Sequence, residues 1–240
     1  MKLKDRLNSD VCYFAFSLDP INADFDVATQ ANWGYARVFN PKFYFGFYGM
    51  YLLCGVYDFF TENLVSDIHV IQQNEFIMNQ KLCLPPNVRG KNKWVYLGGE
   101  PIKSLKTPLD LPDMTPAAKN TAPQEEVTYY KNGIYTVFPG IGQKAYTAKF
   151  KNVSHLESTE IRSSSNMVFE LYIELLKNTG KQFKEQELLE KFINFGEGRD
   201  RWLGYSDIEK KFYFNSFKLR YQKIAYKSIP RHYRERAKEN

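Results

Sequence analysis

The feature that most constrains this chain is a run of 15 residues without a charge, FYFGFYGMYLLCGVY from Phe43 to Tyr57, continued past Asp58 by Phe59 and Phe60. Such a segment has to be covered, by other protein or by lipid. Asn40-Pro41, just ahead of it, is a helix start: a capping residue, then proline at the first helical position, where the missing N–H costs nothing. No further proline appears until Pro85-Pro86. One long helix is therefore expected over residues 41–83, roughly 60 Å at 1.5 Å per residue.

Two settings suit that helix. A bilayer core calls for about 20 mainly apolar residues, whereas a run of about 10 to 14 suits a buried core helix, and residues 43–60 fall between. Arg37 and Lys42 precede the run while Asp58, Glu62 and Asp67 follow it, the asymmetry of a span whose N-terminus faces the positive side. Phe43, Tyr44, Phe47, Leu52, Leu53 and Val56 are then the lipid- or partner-facing positions, and Gly46, Gly49 and Gly55 allow close helix approach. After Asp58, Leu64, Ile68 and Ile71 recur at helical spacing among polar residues.

The rest of the chain divides by composition. Residues 1–40 read as an irregular lead-in. Residues 84–160 hold most of the prolines and read as an extended strap, with a β-hairpin near 127–150 where Asn132-Gly133 supplies a turn between β-prone runs and Ala145 to Phe150 adds a third strand. Residues 161–240 read as a three-helix unit. Ser163 to Ser165 cap a stripe of Met167, Val168, Leu171, Tyr172, Leu175 and Leu176 that stops at Gly180. Lys184 to Asn194 follow, and Ser206-Asp207-Ile208-Glu209 is a capping box opening a helix to about Lys227. The expected class is thus α+β and mostly helical: one long N-terminal helix, transmembrane in one setting, a proline-rich segment with a small β-hairpin, and C-terminal helices.

Charge is uneven. Residues 199–240 hold 12 Lys/Arg against 5 Asp/Glu, while the whole chain is +6. The basic end presents Arg220, Lys223, Lys227, Arg231, Arg234 and Arg236 as a contact patch for phosphates, lipid headgroups or an acidic protein face. Aromatic residues around the third helix imply that it is buried on several sides.

No catalytic constellation is legible. Cys12, Cys54 and Cys83 are odd in number and never in a CxxC pair, and His69, His155 and His232 lack metal-ligand spacing. Phe138 to Lys144 lacks the full phosphate-loop pattern. Carboxylate pairs such as Glu125-Glu126 and Glu185/Glu187 lie on polar stretches. No catalytic residue, cofactor or metal is therefore expected. An aromatic share of 16% favours protein interfaces, since Phe and Tyr bury much area with few rotors.

These features fit a non-catalytic accessory or structural subunit of a large multiprotein assembly. By architecture it would be membrane-embedded, for example in the mitochondrial inner membrane, with other subunits and lipid as partners. An intracellular soluble setting has two forms: a nucleic-acid-binding protein using the basic C-terminus, or a structural component of a viral or phage particle.

Overall fold

The computed structural model describes residues 11–39, 52–88, 93–101, 112–116, 121–131, 145–158, 162–195, 205–234 and 236–238. Its centre is a five-stranded antiparallel sheet in the order β4-β3-β2-β1-β5. The strands are β1 (Val11–Ser17), β2 (Trp33–Phe39), β3 (Leu52–Thr61), β4 (Lys81–Cys83) and β5 (Val95–Glu100). Two expectations are corrected here. The lead-in contains the central strand β2 and its neighbour β1, and the segment expected to be one long helix contains β3, a short helix and β4.

Burial on both faces explains the misreading of β3. Its first six residues, Leu52 to Tyr57, are all buried. Leu52, Cys54 and Val56 point into one core, Leu53 and Tyr57 into another. A strand covered on both sides shows an unbroken apolar run instead of alternation, and such a run cannot be told from a buried helix by period alone. Leu52, Leu53 and Val56 are thus sheet core and do not face lipid. Phe43, Tyr44 and Phe47 lie outside the described residues. Among the described residues no helix is long and apolar enough to cross a membrane, which removes the transmembrane helix as an expectation.

A second sheet runs β8-β7-β6-β9, from β6 (Met114–Thr115), β7 (Glu126–Tyr130), β8 (Ala145–Lys149) and β9 (Glu157–Ser158). β6 and β9 pair in parallel and the other neighbours antiparallel. β7 joins the strand expected as the third of its group, with Glu126 opposite Lys149 and Tyr130 opposite Ala145. Asn132-Gly133 lies outside the described residues.

The helices are α1 (Asp19–Asn22), α2 (Ile68–Gln72), α3 (Phe150–Val153), α4 (Ser164–Asn178), α5 (Glu185–Asn194) and α6 (Asp207–Tyr221). Ser163 caps α4 by accepting from the Asn166 N–H, and Gly180, at φ +69°, follows its end. A capping box between Ser206 and Glu209 starts α6, which stops at Tyr221 before two 3-10 turns, Tyr226–Ser228 and Arg231–Tyr233. These helices do not form a unit of their own. Met167, Leu171, Leu176, Leu188, Phe192, Phe214 and Phe217 share one core with Phe14, Phe16, Val38 and Val56 of the sheet. The chain is therefore mixed α and β, with helices against one sheet face and α2 with β6 against the other.

An ionic network ties the parts together. Lys81 of β4 pairs with Glu157 of β9 and lies 3.6 Å from Glu170 of α4. Arg162 reaches Glu170 at 3.1 Å, and Arg220 of α6 pairs with the same carboxylate. Burial alone would raise the Glu170 pKa, but Lys81, Arg220 and Arg162 together hold it well below the carboxylate range.

Candidate functional site

The loop from Ala23 to Gln30, between α1 and β2, is held from inside and outside. Asn22 is its inner brace: its Nδ2 donates to the Ala31 carbonyl at 2.6 Å, and its Oδ1 accepts from the Thr29 N–H at 3.0 Å. The Asp26 N–H donates to Asp24 Oδ1 at 3.0 Å, closing an Asx turn. Gln30 adopts φ +56°, a left-handed conformation that a non-glycine residue rarely takes.

The outer clamp comes from the helices. Tyr172 of α4 donates its hydroxyl to Asp24 Oδ2 at 2.6 Å. Lys191 of α5 bridges the loop's two carboxylates, 2.8 Å from Asp24 and 2.6 Å from Asp26, and Lys181 also pairs with Asp26. The result is a braced loop whose tip residue, Phe25, is 94% exposed. Beside it opens a cleft of about 370 Å³, lined by Phe25, Tyr172, Phe183 and Phe195 and by Asp24, Asp26, Glu187, Glu190 and Lys191. That volume lies within the usual range for ligand-sized clefts, about 300 to 1,000 Å³.

The electrostatics hold Tyr172, Lys191 and Asp26 in their ordinary charge states. Burial, and then the bond to Asp24, push the Tyr172 hydroxyl far up, so it stays protonated. Burial disfavours the Lys191 cation, but the bonds to Asp24 and Asp26 outweigh it and raise the lysine's pKa. Hydrogen bonds from Lys181 and Lys191 lower Asp26. General acid–base chemistry wants a group whose pKa lies near the working pH, and these shifts all run away from neutrality. The cleft holds paired charges in place.

The basic residues singled out in the sequence are dispersed across the fold. Arg220 is in the Glu170 network; Lys227 pairs with Asp58; Arg231 and Arg234 reach Glu75 at 3.2 and 2.8 Å; Arg236 reaches Asp113 at 3.2 Å. Lys223 is exposed as a residue, yet burial of its ammonium near Glu157, with Lys81 and Lys177 adding repulsion, lowers its pKa. The tail is thus strapped over the molecule, and the Lys238 N–H donates to the Asn152 carbonyl at 3.0 Å. His155 Nε2–H donates to the Arg236 carbonyl oxygen, 2.6 Å away, and burial lowers the ring's pKa. All three cysteines are buried, and none of them forms a disulfide. Among the described residues no cluster of His, Cys, Asp and Glu suits a metal ion.

Sequence reasoning missed the cleft. Asp24, Phe25 and Asp26 sit in a polar, turn-rich stretch, where a single phenylalanine breaks no pattern; its isolation among Asn22, Asp24, Asp26 and Thr29 was the available signal. It also misjudged α6, which buries Phe214 and Phe217 but leaves Ile208 and Phe212 82% and 68% exposed. No family model, curated protein or solved structure matches the chain.

Proposed function

We propose that this chain is a non-catalytic protein-binding subunit that engages a partner through the Phe25 loop and its cleft. The carrying observation is Phe25 itself, almost fully in water on a loop fixed by Asn22, Tyr172 and Lys191. A phenylalanine there does nothing for the free chain's stability. Removed from water at an interface, it would contribute roughly 1.5 to 3 kcal/mol. Because the loop is braced beforehand, little ordering entropy opposes that gain. Rigid aromatic anchors beside a pocket are where interfaces concentrate their energy.

The shifts at Tyr172, Lys191 and Asp26 run away from neutrality, which favours binding over acid–base catalysis. The nucleic-acid alternative draws less support, because phosphate binding depends on cations available to displace counterions. Arg220, Lys227, Arg231, Arg234 and Arg236 each already face a carboxylate of the same chain.

The test is affinity capture from the source cells with the full chain and with Phe25→Ala, the bound protein being identified by mass spectrometry. The reading expects one stoichiometric partner that the variant loses while its melting temperature stays within a degree or two of the parent. A partner retained undiminished by the variant would overturn it.

A further inference from the structure

We infer that the cleft beside Phe25 receives a cationic side chain, arginine or lysine, from the partner protein; this rests on the protein-binding reading and names the chemistry of what is bound. The cleft combines aromatic faces with an excess of negative charge. Phe25, Phe183 and Phe195 line it, and an aromatic face attracts a cation placed over it. The chain's own Lys191 already does this, its ammonium 4.8 Å from the Phe183 ring centre while it pairs with Asp24 and Asp26. That wall therefore accommodates a cation in the folded protein.

The charge balance leaves room for another. Asp24, Asp26, Glu187 and Glu190 line the cleft together with Lys191, and with the adjoining Lys181 counted the local excess is two negative charges on a chain of net +6. Asp24 and Asp26 are committed to the clamp, and Glu187 accepts from the Lys184 N–H at the start of α5. Glu190 accepts from Gln186 Nε2 at 3.2 Å and is otherwise turned to solvent, and an ionised carboxylate has about four acceptor sites, so it can still pair with an incoming cation. An acidic group would meet repulsion here, and a purely apolar one would strip water from the carboxylates without replacing it. Phe25 at the rim would cover the aliphatic stem of the entering side chain.

The experiment titrates the full chain, isotopically labelled for NMR, with N-acetyl-arginine amide and with its neutral isostere N-acetyl-citrulline amide. The arginine probe should give saturable shifts confined to Phe25, Phe183, Phe195 and their neighbours, with Kd in the low millimolar range, about 1 to 10 mM, as befits a fragment. The citrulline probe should bind at least about tenfold more weakly, since it loses both the ion pair and the cation–π contact. Glu190→Gln should weaken the arginine probe about threefold, the scale of one exposed pair. Equal binding of the two probes, shifts located elsewhere, or no saturable shift with the arginine probe up to about 50 mM would overturn the inference. If the arginine probe fails while Phe25→Ala still releases the captured partner, the cation falls and protein binding stands; if Phe25→Ala keeps the partner, protein binding itself falls.

Discussion

Tyr172 shows how single side chains set the shape of the cleft. Its ring is buried in the core with Phe169 and Phe195, while its hydroxyl reaches out to Asp24, so one residue links core packing to loop position. Tyr172→Phe keeps the ring and removes the bond. The expected loss, read from urea unfolding, is about 1.5 to 3 kcal/mol, the range for a hydrogen bond to a charged group. Faster amide exchange at residues 24–27 should accompany it. Unchanged exchange there would mean that Lys191 alone holds the loop. None of this was legible from the sequence: Asp24 and Tyr172 are 148 positions apart, and neither Asn22 nor Thr29 announces that its partner is the other. What could be read were residues whose meaning is local, such as Ser163, Gly180 and the Ser206–Glu209 pair at helix ends.

At the level of elements, the lesson lies in β3. Fifteen uncharged residues say that a segment is buried but not which geometry buries it, and the helix-start signal at Asn40-Pro41 tipped the choice the wrong way. Gly55, expected to allow close helix approach, instead admits an aromatic ring: a Cβ there would lie 2.5 Å from the Phe76 ring, across the sheet face. That ring is fixed by Tyr57, with centroids 4.9 Å apart, and by the Arg37 guanidinium 4.8 Å from its centre. Gly55→Ala should therefore destabilise the fold by about 1 to 3 kcal/mol, as overpacking does when a neighbour cannot yield. A neutral or stabilising result in thermal unfolding would show that Phe76 moves freely. Leu53, also expected to face lipid or a partner, is buried on the opposite face from Cys54. Loss of binding by a charged variant at Leu53 would thus report unfolding, not a lost contact.

For the whole molecule, the question is what joins the two sheets and six helices of the described residues into one body. Part of the answer is the network of Lys81, Glu157, Arg162, Glu170 and Arg220, which joins β4, β9, α4 and α6. Breaking a buried ion pair from one side costs about 3 to 5 kcal/mol, because the remaining charge is left without its partner. Glu170→Gln should be destabilised on that scale at neutral pH. Its pH dependence should change as well. Glu170 binds its proton more weakly in the folded chain than in the unfolded one, so its contribution is fully present above the unfolded value, about 4.3, and is lost as pH falls below it. Stability measured against urea between about pH 6 and 2 should then decline less steeply for Glu170→Gln than for the parent. Parallel curves would show that acid acts elsewhere.

The same network consumes charges that, in the sequence, looked available to a ligand. Arg220 belongs to it, and Lys227, Arg231, Arg234 and Arg236 strap the C-terminal segment to Asp58, Glu75 and Asp113. A charge count along the chain sees the cations and cannot see where their counter-ions return in space. The surface we propose for a partner is instead a small one, a braced phenylalanine over a cleft.

That claim is tested most directly by placing a photo-crosslinking benzophenone amino acid at position 25 of the full chain, with the same group at exposed Glu62 as control, and irradiating in the source cells. A discrete adduct to one protein from position 25, absent from position 62, is the predicted result. Identical adducts from both positions, or none from position 25, would contradict the assignment of this loop as a binding site.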